Sequence, residues 1–242
     1  MHTLAENKTL LHVAGIHTFY GKSHILHGVS LDVERGSITA LLGRNGVGKS
    51  TTLKSIIGIT PPLKGSILFN GEEIVGRRSY KICRRGIGYV PEDRRIFPNL
   101  TVRENLLIGL QPGQKFDDPW TVDKIFECFP RLKMRDRQKG GHLSGGEQQM
   151  LTIARTLMGN PEFMLVDEPM EGLAPQMVDL VCEILLEVNK AGCSILLVEH
   201  AIDVALSLAS RAYIMSKGQI VFQGTSKDVA ANEEVRNKYL EV

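Results

Sequence analysis

Nothing in this chain stays apolar for long. The longest uninterrupted apolar runs, such as Ile195–Val198, reach about four or five residues, far below the roughly 20 that a bilayer-spanning helix needs, so no membrane crossing is expected. Charge of one sign is equally scarce in excess. With 29 Lys plus Arg against 27 Asp plus Glu the formal charge is +2, too weak a field to collect a polyanion or an anionic membrane, and any nucleic-acid function would need a local site. The four cysteines, Cys83, Cys128, Cys182 and Cys193, form no C-x-x-C pair. Neither a zinc knuckle nor a disulfide framework is suggested. The amino terminus opens Met1, His2, Thr3, places Glu6 near Lys8 and interrupts its first apolar stretch with His12. That is not a secretory layout, and a cytosolic location is expected. Long linkers, internal repeats and low-complexity segments are also missing.

What is there is the make-up of a folded protein: 242 residues, 43% hydrophobic and 23% charged. Leu10–Tyr20, Ile25–Val33 and Ser37–Leu42 read as β-rich runs, the last ending at Gly43 and opening into a helix near Lys49. Another turn, strand and turn lie around Gly65 to Gly71, and Ile87–Val90 is a short strand closed by Pro91. From Thr101 to Met158 the pattern is helical. Thr101 and Glu104 have capping-box spacing, Pro119 suits a first helical turn, and Glu147–Met158 carries apolar residues at helical spacing until Asn160 and Pro161 stop it. Alternation then returns: strand Phe163–Asp167, helix Pro175–Lys190, strand Ser194–Val198, helix Ala201–Ala209, strands Ala212–Met215 and Ile220–Phe222, and a helical tail. Strands alternating with helices predict a mainly parallel sheet covered on both faces. The expected organisation is a single domain over residues 1–242, an α/β core of about 1–85 and 160–242 with a helical subdomain of about 86–159 inserted in it.

Gly43, Arg44, Asn45, Gly46, Val47, Gly48, Lys49 and Ser50 fit G-x-x-x-x-G-K-[ST], and the run falls between a strand and a helix, where a phosphate-binding loop must fall. Glycines allow close approach to phosphate oxygens, backbone N–H groups and the helix N-terminus attract anions, Lys49 reaches the β- and γ-phosphates, and Ser50 can hold Mg²⁺. A magnesium site needs a further carboxylate, and Phe163–Asp167 followed by Glu168 supplies two acids at the end of an apolar strand. Neighbours on a strand point opposite ways. Asp167 can therefore face the metal, while Glu168 projects beyond the γ-phosphate as the candidate base for an attacking water. His200 follows the strand Ser194–Val198, at the edge where open α/β sheets bind ligands.

Leu143, Ser144, Gly145, Gly146, Glu147, Gln148 and Gln149 resemble the LSGGQ-type signature of ABC ATPases. The run opens a helix and so forms a second anion-binding terminus in a chain with one phosphate loop. Motif order fits too: Asp167 follows Ser144 by 23 residues and His200 follows Glu168 by 32. Within that family, Val90–Pro98, Phe129–Leu132, Glu147–Leu151, Glu171–Pro175 and the tail Val235–Leu240 look like the cytoplasmic ATPase of importers for branched-chain and other hydrophobic amino acids, the LivF type. Arg44–Val47 resembles instead the urea or short-amide branch of those importers.

The resemblance implies a P-loop NTPase core of RecA-like type with an N-terminal antiparallel β subdomain and the helical insertion. It implies ATP and Mg²⁺ as cofactors, adenine stacking by Tyr20, phosphate contacts from Gly43–Ser50 and Thr51, and His200 as a sensor of γ-phosphate. Head-to-tail dimerisation would place Ser144, Gly145 and Gly146 on ATP held by the partner's loop. Implied partners are a second ABC ATPase subunit, either a copy of this chain or, as in LivF-type systems, a related ATPase that makes a heterodimer, two membrane permease subunits, and indirectly a solute-binding protein, with the chain peripheral on the cytoplasmic membrane face. Two positions depart from the family. Glu92 stands where most members place a glutamine that reads Mg²⁺ and the attacking water, and Ala174 replaces an aspartate that bridges the dimer, a contact that is then absent or made by Glu171. The densest basic stretch, Arg77, Arg78, Lys81, Arg84, Arg85, Arg94 and Arg95, is a solvated face in its plain reading. A soluble ATP-driven machine acting on nucleic acid and a nucleotide-binding module without turnover stand as the rival functions, with the pair Glu168 and His200 arguing against the second.

Overall fold

The computed structural model describes residues 8–111 and 118–240. Met1, His2, Thr3 and Glu6 lie outside the described residues. Two sheets organise the chain. β1 (Thr9–Tyr20) and β2 (Ser23–Glu34) form an antiparallel hairpin, and β4 (Lys64–Phe69) and β5 (Glu72–Glu73) extend it in the order β2-β1-β4-β5. This is the expected N-terminal antiparallel subdomain.

The second sheet has six strands: β3 (Ile38–Leu42), β6 (Ile87–Val90), β7 (Phe163–Asp167), β8 (Ser194–Val198), β9 (Arg211–Ser216) and β10 (Gln219–Thr225). Their order is β10-β9-β3-β8-β7-β6, parallel throughout except for the β9–β10 hairpin at one edge. Strands β3, β7 and β8 are buried at every position, which is why their sequences are continuous apolar runs rather than alternating ones. Side-chain alternation divides them between two cores. Ile38, Ala40, Leu42, Ile195 and Leu197 face one, while Leu41, Leu196 and Val198 face the other. The first core lies under the helices and the second under the antiparallel sheet.

Helices α1 (Lys49–Ile56), α2 (Ser79–Cys83), α3 (Val102–Ile108), α4 (Val122–Cys128), α5 (Pro130–Met134), α6 (Gly145–Leu157), α7 (Pro175–Lys190), α8 (Ile202–Leu208), α9 (Ser226–Ala231) and α10 (Glu233–Tyr239) complete the described residues. Two expectations need correction. Ile87–Val90 pairs with β7 inside the parallel sheet, so the helical block does not begin at about 86 but after Pro91. The run Thr101–Met158 is helical as read, as the separate helices α3 to α6, with Gly109 capping α3 and Phe129 separating α4 from α5. Pro119 starts no helix: Thr121 caps α4, its hydroxyl accepting the Lys124 amide, because a side-chain acceptor satisfies a free N–H that proline can only remove. The capping box of Thr101 and Glu104 is present as read. Among the described residues no helix is long and apolar enough to cross a membrane.

Candidate active site

The carboxyl ends of β3, β7 and β8 converge on one cluster. Leaving β3, the chain turns through Gly43, Gly46 and Gly48, all at positive φ, and enters α1 at Lys49. Two of these positions admit nothing larger than glycine. A Cβ on Gly43, whose φ is +149°, would stand 2.4 Å from the Met215 carbonyl oxygen, and one on Gly48, at +114°, would stand 2.8 Å from Leu26 Cδ2. The loop is thus moulded by β9 on one side and by β2 on the other. The β9–β10 turn straps it down: Gly218 N–H donates to Val47 O at 2.9 Å, and Gly218 O accepts from His27 N–H at 2.8 Å.

Lys49 is 3% exposed and its ammonium crosses the loop, donating to Gly43 O at 2.9 Å and Arg44 O at 3.2 Å. It also stands 3.5 Å from Glu168 Oε1 and 3.5 Å from His200 Nδ1. Arg44, Asn45 and Gly46 are exposed at the rim, and Thr51 is buried at the third position of α1. Ser50 donates its hydroxyl to Asp167 Oδ1 at 2.9 Å, so the two candidate metal ligands already adjoin. Asp167 Oδ2 accepts a hydrogen bond from the Tyr89 hydroxyl at 3.1 Å. Burial raises the Asp167 carboxyl above its ordinary value, while the bonds from Ser50 and Tyr89 and the Lys54 and Lys49 charges pull against that rise. Burial, with Asp167 beside it, likewise pushes the Tyr89 phenol up, so it remains a donor.

Glu168 leaves β7 at φ +47°, a left-handed backbone that costs a non-glycine residue roughly 1–3 kcal/mol and is held only where its surroundings insist. The hold is the Glu168 amide donating to Val198 O on β8 at 2.9 Å. This twist, more than strand alternation, turns the side chain away from Asp167 and toward His200, whose Nε2 stands 2.5 Å from Glu168 Oε2. Burial raises the Glu168 carboxyl; the charges of His200 and Lys49 and the His200 bond oppose the shift, and the Glu92 charge adds to it. Glu92 itself is exposed, just beyond β6.

Two contributors were not legible in the sequence. Tyr89 belongs to the site through a bond across the sheet, and Glu199, 3% exposed, holds the loops beside it. Glu199 accepts the Met170 amide at 3.0 Å and the His200 amide at 2.9 Å, fixing where both acidic and histidine segments turn. Burial raises this carboxyl, and the Met170, His200 and Ala201 amides oppose that. An adjacent pair Glu199-His200 carries no periodic signal that would have told a buried brace from a surface acid.

Other predicted residues stand outside this cluster. Tyr20 ends β1 and is 46% exposed, free to present its ring. Ser144 caps α6 in a capping box, accepting the Glu147 amide at 3.3 Å while its own amide donates to Glu147 Oε2 at 2.8 Å. Gly145 and Gly146 follow in the first turn, where a Cβ would stand 2.8 Å from Arg94 Nη1 and 2.8 Å from Met177 Cε respectively. In the basic stretch, Arg85 pairs with Glu72 and Arg95 with Asp93 at 2.9 Å.

The family model described as ABC transporter matches residues 26–171. The branched-chain amino acid transport ATP-binding protein BraG of Pseudomonas aeruginosa is 45% identical over 93% of this chain and 97% of its own length. The probable branched-chain amino acid transport ATP-binding protein LivF of Archaeoglobus fulgidus is 34% identical over 93% and 96%, and the lipopolysaccharide export ATP-binding protein LptB of Escherichia coli K12 is 35% identical over 91% and 92%. A crystal structure of an ATP-binding cassette of an ABC transporter in its ADP conformation superposes with a TM-score of 0.82 at 29% identity, covering 95% of this chain and 97% of that one. With the loop, the acidic strand, the histidine and the signature helix all in place, this chain belongs to the ABC transporter family as one of its ATP-binding cassettes.

Proposed function

We propose that this chain hydrolyses ATP to drive an importer of branched-chain or other hydrophobic amino acids. The observation that carries the reading is the meeting of Lys49, Ser50, Asp167, Glu168 and His200 at the carboxyl edge of the parallel sheet, in a cassette 45% identical to BraG along almost all of both chains.

The residues divide the work as follows. Amides of Gly43–Ser50 and the Lys49 ammonium hold the phosphates, Tyr20 stacks on adenine, and Thr51 lies beneath the phosphates at the start of α1. Ser50 and Asp167 fit the Mg²⁺ of the nucleotide: both offer hard oxygens, they are 2.9 Å apart, and a cation would relieve the cost of burying the Asp167 carboxylate. The ion supplies charge neutralisation on the β- and γ-phosphates. Glu92, exposed near Glu168, would face the ion through water. Glu168 takes a proton from water as its oxygen attacks the γ-phosphorus, and ADP leaves with the bridging oxygen. His200 orients Glu168 and senses the γ-phosphate.

The signature at Ser144–Gly146 has its helix N-terminus available for a phosphate on another subunit, so the working unit is a dimer of cassettes, in this reading a heterodimer with a related ATPase. Two permease chains and, through them, a solute-binding protein complete it, with the cassettes peripheral on the cytoplasmic face of the membrane. Tagged Glu168→Gln protein, purified with ATP from detergent-solubilised native membranes, tests this. Recovery of two permease chains and a second ATPase is expected. Recovery of lipopolysaccharide-export components, ribosomes or DNA would overturn the assignment.

A further inference from the structure

At the opposite edge of the parallel sheet from the phosphate loop, where β3 and β9 begin, lies a cavity of about 370 Å³, within the range of small-molecule sites. Its walls include Glu34, Ser37, Ser210, Arg211, Gly224 and Asp228. The charges are arranged as opposites. Arg211 is the cation among the described lining residues, and Glu34 and Asp228 are the anions. Arg211 forms no ion pair among the described residues; its guanidinium lies over the Tyr213 ring at 5.4 Å, and its Nε is buried without a hydrogen-bond partner, a state that polar groups seldom keep.

The acids are only partly engaged. Glu34 pairs at 3.0 Å with Lys8, itself 79% exposed, a surface contact of little strength. Asp228 Oδ2 accepts from the Thr225 amide and hydroxyl in the capping box of α9, and those bonds hold its carboxyl below the ordinary range. Ser37 and Ser210 donate their hydroxyls to Glu34 O and Ile38 O and retain lone pairs that can accept. Gly224 keeps one wall open, since a Cβ there would stand 3.1 Å from Asp228 Cβ and 3.2 Å from its Oδ2.

A plain anion in this cavity would meet two carboxylates, and a plain amine would meet the guanidinium. A molecule with a carboxylate and an ammonium a few ångströms apart satisfies both signs. We propose that the cavity binds an α-amino acid as its zwitterion, the carboxylate on Arg211 and the ammonium toward Glu34 and Asp228. The lining alone points to this ligand class, whatever solute is transported.

Isothermal titration of L-leucine and of L-serine into the nucleotide-free chain tests it, followed by the deaminated and decarboxylated analogues of whichever binds (4-methylpentanoate and 3-methylbutylamine for leucine). Expected is saturable 1:1 binding of at least one amino acid, with each analogue weaker by about tenfold or more, as for loss of a charge-assisted hydrogen bond. Arg211→Met should abolish the heat. Glu34→Gln, a change at the half-exposed rim, should weaken binding several-fold while leaving the melting curve unchanged, and so keeps the test sound if the Arg211 variant misfolds. Absence of binding by both amino acids, equal binding of the half-charged analogues, or unaltered affinity in both variants would overturn the proposal. None of these outcomes bears on recovery of permeases with the Glu168→Gln protein.

Discussion

His200 Nε2 lies 2.5 Å from Glu168 Oε2. The Lys49 ammonium lies 3.5 Å from His200 Nδ1 and can only donate, so an imidazole that accepts there carries its one proton on Nε2, toward the carboxylate, whereas an imidazolium presents an N–H to Glu168 and its charge as well. The imidazole therefore fixes one oxygen of Glu168 while Lys49 lies 3.5 Å from the other, and both partners act on the ionisation of the proposed base.

The first prediction follows from that geometry. Glu168 must be ionised to accept a proton, and its carboxyl is raised above the ordinary value, so ATPase activity is lost, as pH falls, earlier than a glutamate of ordinary pKa, about 4.3, would require. Removing a charge that raises it, in Glu92→Gln, moves this acidic limb to lower pH. Removing a group that lowers it, in His200→Ala, moves the limb to higher pH and also lowers the plateau. The pH dependence of kcat for the three proteins checks both signs.

Ser144 allows a structural role to be separated from a catalytic one. Ser144→Ala removes a helix cap and should cost about 1 kcal/mol of stability, read as a drop in Tm, as well as ATP-dependent dimerisation. Ser144→Asp retains a side chain that caps well and so retains Tm, but it brings a negative charge to the surface proposed to meet a γ-phosphate. Dimerisation should fail in both variants while stability falls in one. Sedimentation with ATP, beside thermal melts, provides the comparison.

Tyr89→Phe deletes a hydrogen bond to a buried carboxylate without changing the ring's volume. Bonds to charged groups contribute about 1.5–3 kcal/mol, and the loss should raise the Asp167 carboxyl further. The expected result is weaker Mg²⁺ binding, a rise of about tenfold or more in the Mg²⁺ concentration giving half-maximal ATPase, with the far-UV spectrum intact.

Gly43→Ala places a methyl where a Cβ would stand 2.4 Å from the Met215 carbonyl. Neither backbone can yield freely, because β9 is hydrogen-bonded to β3 on one side and β10 on the other. Nucleotide binding should be lost, with Tm lowered, when a fluorescent ATP analogue is titrated.

Much of this site could be read before the fold was known because phosphate binding is local. The loop, the strand before it and the helix after it occupy one stretch, and Asp167 and Glu168 stand out as acids ending an apolar run. What escaped depends on partners distant in sequence. Tyr89 acquires meaning only when β6 pairs with β7 and its hydroxyl meets Asp167. Glu199 looks like any acid after a strand until its two oxygens are seen on the Met170 and His200 amides. In the helical block the breaks are local, since Gly109 ends α3 and Pro130 opens α5. Thr121 had a cap's chemistry, yet the neighbouring Pro119 drew the boundary.

Single-turnover hydrolysis reports whether Glu168 is the base. Wild-type protein mixed with radiolabelled ATP and Mg²⁺ should convert it to ADP and phosphate, whereas Glu168→Gln should bind the same ATP, retain it unhydrolysed and accumulate as a dimer. Undiminished conversion in the Glu168→Gln protein would contradict the account.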